Sequence, residues 1–164
     1  MLFLCDAMLG RTARFLRLLG YDTSYNIDYS DDDLLRVAAE EHRVLLTRDV
    51  RLYERAIKLN LTAFLIKTKS YKEGIADLVL NTNLELNLDS ATSRCATCNA
   101  EITRIPKAEV KGKIPEKTFV RFDEFWICTN KSCGKIYYFG THWDNINKTY
   151  EDIQKRIADK KKEK

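Results

Sequence analysis

Proline and glycine are scarce, with two and six residues in a chain of 164. That excludes collagen-like and Gly/Pro-rich low-complexity chains. No apolar run approaches the roughly 20 residues needed to cross a bilayer, so no membrane association is expected. No secretory leader is expected either. Met1-Leu2-Phe3-Leu4-Cys5 runs straight into Asp6 with no basic segment ahead of it, which predicts a cytoplasmic chain. What remains is ordinary globular material: 45% apolar and 32% charged residues, enough for one medium domain or two small ones.

Charge is unevenly spread. Residues 1–90 hold 12 Lys/Arg against 14 Asp/Glu, and residues 91–164 hold 16 against 10. An acidic first part joined to a basic second part suggests two tasks on one chain. A basic module can hold a polyanion, because neutralising phosphates releases counterions.

Leu2 to Cys5, Tyr21 to Asn26, Val44 to Thr47 and Thr62 to Ile66 read as strands, the first, third and fourth short and apolar rather than alternating. Helical segments of roughly ten residues fall between and after them, which predicts a parallel sheet covered on both faces. Gly20 stops the first helix where a C-cap belongs, and Ser30 with Asp33 forms a capping box for the second. Residues 1–82 form this α/β domain, and the polar stretch 83–94 reads as a linker. A second module spans 95–143. Residues 144–164 read as a helix with Ile146, Tyr150, Ile153 and Ile157 on one stripe, ending in a solvated Lys-rich tail at Lys160-Lys161-Lys162.

Four of the five cysteines lie in that module, as Cys95-Ala-Thr-Cys98 and Cys128-Thr-Asn-Lys-Ser-Cys133. Two close pairs, each on a tight knuckle, can close a tetrahedral Cys₄ site for zinc, and the surrounding aromatic residues fit a small β ribbon. With four thiolate ligands no position stays open for water, so this zinc is expected to be structural. Disulfides are the competing reading, and a cytoplasmic setting disfavours them. Cys5, inside the first strand, reads as a small buried apolar residue.

Asp6 follows the first strand, Asp28 and Asp31 the second, and Asp49 the third. In an open parallel sheet these ends share one rim, where ligands bind. Crowded carboxylates suit a hard cation such as Mg²⁺ or Mn²⁺, which can activate water and neutralise a phosphodiester. Asp31 and Asp49 fit helix capping equally well, and Asp32 and Asp33 fit it better. Asp6 is harder to explain that way, because an acid after a buried strand is costly unless something binds it.

Taken together, Asp6-Ala-Met-Leu-Gly-Arg-Thr-Ala-Arg-Phe-Leu-Arg-Leu-Leu-Gly-Tyr-Asp, Asp31-Asp-Asp-Leu-Leu-Arg-Val-Ala and Leu45-Leu-Thr-Arg-Asp49 closely resemble the Mut7-C RNase family. Tyr137-Tyr-Phe-Gly-Thr-His-Trp143 resembles the closing segment of that family's zinc ribbon, and the likeness covers about residues 1–143. The resemblance implies a PIN-like three-layer α/β/α nuclease domain followed by a zinc ribbon, and metal-dependent cleavage of RNA. It makes Asp6, Asp31 and Asp49 the catalytic and metal-binding acids. A further acid usual in PIN domains has no obvious counterpart, and Asp28 is the candidate substitute.

Arg11, Arg14 and Arg17 share an arc of the first helix near that rim, and Arg48 stands beside Asp49. They are candidate RNA contacts, or else an ordinary solvated face. His142 can contact a phosphate or a base, or simply pack, while His42 lies in an exposed turn. The leading reading is a Mg²⁺- or Mn²⁺-dependent ribonuclease, an endonuclease, whose ribbon grips RNA. The alternative is a non-catalytic RNA- or ribosome-binding zinc-ribbon protein. A phosphoacceptor receiver domain, suggested by Lys67 after the fourth strand, lacks the paired acid beside Asp6 and is set aside. Oligomeric state is not legible in the sequence.

Overall fold

The computed structural model describes residues 1–89 and 92–163. Strands β1 (Leu2–Cys5), β2 (Asp22–Tyr25), β3 (Val44–Thr47) and β4 (Ala63–Leu65) form one parallel sheet in the order β2-β1-β3-β4. After them in turn come α1 (Gly10–Leu18), α2 (Asp31–Glu40), α3 (Val50–Lys58) and α4 (Tyr71–Asn81). A 3₁₀ turn, Ala7–Leu9, leads into α1. Side chains alternate along each strand and sort the helices into layers. Phe3, Cys5 and Leu46 pack with Leu16 of α1 and Ile75 and Leu78 of α4. Leu4 and Leu45 pack on the other face with Leu34 and Ala38 of α2 and Leu52 and Ala56 of α3. Each fully buried Leu or Phe contributes roughly 1.5–3 kcal/mol, so two such faces hold a four-stranded sheet without crosslinks.

Helix ends follow their local chemistry. Gly20 has φ +88°, and its N–H reaches the Arg17 carbonyl while that of Tyr21 reaches Leu16, the paired bonds of a Schellman stop. A Cβ there would lie 2.8 Å from the Thr92 carbonyl oxygen, so the segment leaving the domain also passes over this turn. Ser30 caps α2, with the reciprocal Asp33 bonds of a capping box.

The second module is an antiparallel sheet, β5 (Ile102–Ile105), β6 (Phe125–Cys128) and β7 (Ile136–Tyr137), in that spatial order. Two short helices lie between β5 and β6, α5 (Lys107–Val110) and α6 (Glu116–Arg121), and the sequence reading had no place for them. Each starts directly after one of the chain's two prolines, Pro106 and Pro115. Ile105, Val110 and Phe125 form the buried centre of this module.

The C-terminal helix α7 (Thr141–Lys162) begins three residues earlier than the 144 expected, which puts His142 and Trp143 in its first turn. Ile146, Ile153 and Ile157 are buried against the first domain, and the Tyr150 hydroxyl donates to the Leu86 carbonyl. Ion pairs fasten α7 to α4. Arg156 meets Glu73 at 2.7 Å, Lys72 meets Asp152 at 2.7 Å, and Lys160 meets Glu73 and Asp77. Lys160 and Arg156 hold the Glu73 carboxyl below its ordinary range. Lys160 is therefore part of the packed helix rather than of a solvated tail.

The stretch 83–94 is bound to the fold at most of its described residues. Leu84 is buried, Glu85 takes a bond from its own N–H to the Tyr21 hydroxyl, and the Ser93 hydroxyl donates to Leu18. Ser90 and Ala91 lie outside the described residues. Arg17 departs most from expectation. It is 4% exposed, and its guanidinium donates to the carbonyls of Thr23, Ala96 and Thr97. A guanidinium spent on three carbonyls inside the protein is not an RNA contact, so Arg17 leaves that set. It ties the first domain to the Cys95–Cys98 knuckle instead. Asp22 works beside it, accepting from Arg43, Asn99 and Arg94. Burial alone would raise the Asp22 pKa, but these donors outweigh it and hold the carboxyl below the usual carboxylate range.

Replacing Arg17 with Met keeps much of the packing volume and strands three carbonyls. We expect a loss of roughly 3 kcal/mol in urea denaturation, because bonds from charged donors are worth about 1.5–3 kcal/mol each and do not add fully. Unchanged stability would contradict the docking role.

Candidate active site and cysteine centre

The helix after β1 covers one face of the sheet and the helix after β3 covers the other, so the chain parts in opposite directions between these neighbouring strands. Such a switch point opens a crevice at the carboxyl ends of the strands. Asp6 lies there, 5% exposed. Its Oδ1 accepts the Met8 N–H at 2.8 Å, and its Oδ2 accepts the Thr47 hydroxyl at 2.5 Å and the Arg48 N–H at 3.0 Å. Three donors offset the desolvation that a buried carboxylate suffers. Thr47 also accepts the Asp49 N–H at 2.9 Å, so one hydroxyl links the Asp6 carboxylate to the Asp49 backbone.

Asp49 itself caps α3, accepting the N–H groups of Arg51 and Leu52 on Oδ1, and it is exposed. Asp31, exposed in the first turn of α2, lies 3.6 Å from Arg55 of α3, which also binds Asp32. Asp28 is exposed in the loop before α2, and its N–H donates to the Asn26 side chain. Asp6 and Asp49 thus share one junction, Asp31 is tied to α3, and Asp28 stands outside. Among the described residues, the only three or more His, Cys, Asp or Glu side chains drawn close enough to share an ion are the four cysteines. Thr47 lay inside the quoted Leu45–Asp49 motif, yet its linking role needs the β1–β3 pairing to be visible.

A cavity of about 640 Å³ opens beside Asp6, although none of Asp6, Asp28, Asp31 or Asp49 lines it. Met8 and Arg48, whose amides hold Asp6, line it together with Arg11, Arg14, Lys69 and Lys72. Lys72 is paired with Asp152, whereas Arg11, Arg14, Arg48 and Lys69 have no acidic partner among the described residues. Lys69, after β4, carried no periodic or motif signal in the sequence. A second cavity of about 500 Å³ shares Arg11, Arg14 and Tyr71 with the first and continues to Lys135 and His142 of the second module. Unpaired cations facing open grooves favour a polyanion.

The four cysteine sulfurs lie within 4.8 Å of one another. Cys95 and Cys133 are 3.7 Å apart and Cys98 and Cys128 3.3 Å, too far for disulfides, and all are free thiols. A tetrahedral site with Zn–S bonds of about 2.3 Å has edges of about 3.8 Å, so the cluster can hold a zinc ion. The thiols differ in acidity. Burial works to raise Cys95, but the Tyr137 hydroxyl and the amides of Cys98 and Thr97 bring it down to about 6. Burial and the adjacent Cys98 push Cys128 up to about 12. The Tyr137 hydroxyl, 3.0 Å from Cys95 Sγ, is itself raised by burial and by that sulfur, and so it stays a donor to it. Cys5 is fully buried and its thiol is raised by burial and by Asp6, which keeps it a neutral core residue.

Thr47→Val removes the hydroxyl but not the shape, leaving Asp6 Oδ2 one donor short and the Asp49 N–H without its acceptor. We expect about 2 kcal/mol of destabilisation in urea unfolding, the usual cost of an unsatisfied buried group. A neutral substitution would mean that this hydroxyl does not organise the rim.

No curated protein and no solved structure gives a match to the chain. The model of the Mut7-C RNAse domain matches residues 1–150, a span that takes in the parallel sheet, its acidic rim, the cysteine centre and the first turns of α7. By that match the chain belongs to the Mut7-C RNase family.

Proposed function

We propose that this chain is a metal-dependent ribonuclease of PIN-like design that hydrolyses RNA phosphodiester bonds at the rim above Asp6. One observation carries the reading: four cations without acidic partners line the same cavity as Met8 and Arg48, the residues whose amides hold Asp6. Arg11, Arg14, Arg48 and Lys69 would grip phosphates and place one of them over the β1–β3 crevice. The groove continues past the rim towards Lys135 and His142, which supports an RNA strand running through and internal rather than terminal cleavage.

The carboxylates of Asp6 and Asp49 are hard oxygen donors, and that donor chemistry fits Mg²⁺ or Mn²⁺. Asp31 would join them once Arg55 releases it, and Asp28 stays at the margin. A cation held by these acids would neutralise phosphate charge and favour attack by water. Asp6 is already positioned by three hydrogen bonds, whereas Asp31 has first to leave Arg55. In the second module, Cys95, Cys98, Cys128 and Cys133 would bind structural zinc, with Tyr137 supporting Cys95. Free thiols suit a reducing compartment, and we place the protein in the cytoplasm.

A second reading rests on a specific observation. Arg55 neutralises Asp31, and Asp49 is engaged as a helix cap. If those roles are permanent, the chain is an RNA- or ribosome-binding protein without catalysis.

End-labelled single-stranded and structured RNAs, incubated with zinc-loaded protein and Mn²⁺ or Mg²⁺, separate the two. Cleavage at internal positions is expected, falling at least a hundredfold in Asp6→Asn and Asp49→Asn on the order usually seen when a transition-state-stabilising group is lost. RNA binding equal in all three proteins without any cutting would support the second reading. Stripping zinc with a strong chelator should separately unfold residues 95–143, read by loss of near-ultraviolet circular dichroism from Trp126 and Trp143. A folded metal-free module would contradict structural zinc.

A further inference from the structure

A third cavity of about 290 Å³ opens on the second module, enclosed by Leu18 of α1, Trp126, Tyr137, Phe139, His142 and Trp143. It is close to the size of the smaller pockets that hold organic ligands, roughly 300 Å³. Its rings are not packed flat on one another. Trp126 meets Phe139 edge to face at 4.6 Å between centroids, and Phe139 meets Trp143 edge to face at 4.8 Å. None of the three is fully buried.

What lies beside this cavity identifies its occupant. Lys135, His142 and Ile146 also line the second cavity, which in turn shares Arg11, Arg14 and Tyr71 with the one beside Asp6. One cationic path therefore runs from the cavity beside Asp6 across α1 and ends at an aromatic hollow. A ligand with a polyanionic backbone and flat apolar faces matches both halves at once, and single-stranded nucleic acid has that combination. A duplex cannot use the hollow, because its bases are stacked and paired.

We infer that the aromatic hollow receives one unpaired base of the RNA whose backbone lies along the cationic path, anchoring the strand at a set distance from the cut. This rests on the ribonuclease reading above and deepens it. Lys135 and His142, at the mouth, would meet the phosphates flanking the base. The hollow would select for an unpaired nucleotide, and base identity would matter less than stacking area.

Trp126 and Trp143 are the only two tryptophans in the chain, and both line this hollow, so intrinsic fluorescence reports on it. The zinc-loaded full chain, without added Mg²⁺ or Mn²⁺, is titrated with a short single-stranded RNA, with a ribose-phosphate oligomer of equal length lacking bases, and with a blunt duplex. The single strand should quench tryptophan emission and bind about tenfold more tightly than the abasic oligomer, as one stacked base implies. Phe139→Leu should erase that preference while leaving abasic binding unchanged, which a folding defect would not do because it would weaken both. Equal affinities without quenching, in a protein that still binds and cuts RNA, would overturn the base hollow and leave the nuclease intact. Failure to bind any of the three would overturn the hollow and the ribonuclease reading together.

Discussion

A carboxylate at the inner end of a buried strand must find its donors within the fold, and Asp6 finds them on both sides of the β1–β3 crevice. The 3₁₀ turn supplies the Met8 amide, β3 supplies the Thr47 hydroxyl, and the start of the next loop supplies the Arg48 amide. Satisfying one acid thereby fixes how α1 and α3 leave the sheet. It also brings Arg48 and the first turns of α1 to the edge of one cavity. A surface acid would impose no such constraint, since water would serve in place of the three donors.

A second constraint joins the modules. The first cysteine knuckle has no helix or strand of its own to lie on, and its exposed carbonyls are taken up by Arg17. Asn99, just beyond it, accepts the Thr23 N–H and donates to Asp22, which also receives Arg94. The contacts fall on backbone atoms and on one half-buried carboxylate, so they hold orientation as well as contact. With α7 packed along α4 by buried isoleucines and ion pairs, the second module is fastened at both of its ends. That fixed placement is what makes a groove continuous from rim to ribbon.

The positions of β1, β3 and β4 were legible because short apolar runs alternated with helical stretches, and cap residues such as Gly20, Ser30 and Asp33 act within a few residues. The cysteine cluster was legible from spacing. Less visible were interactions between distant segments. Arg17 looked like its neighbours Arg11 and Arg14 on a helical arc, yet it is buried because Thr23, Ala96 and Thr97 present carbonyls that only the folded chain brings together. Polar composition at 83–94 concealed a segment whose Leu84 and Ser93 are buried. Lys160 resembled its solvated neighbours in a charge run, but it meets Glu73 and Asp77 across α4. For the acids, the motif located the rim, whereas the Thr47 link and the Arg55 clamp depend on strand order and helix placement.

The central claim is that the acids of this rim hold a catalytic cation. Crystals of the zinc-loaded protein soaked in Mn²⁺ and measured at the manganese edge test it most directly. An anomalous peak against the Asp6 and Asp49 carboxylates is expected, with Arg55 drawn away from Asp31. Manganese elsewhere in the lattice and none against Asp6 or Asp49 would contradict it, and would leave these acids as structural elements of an RNA-binding surface.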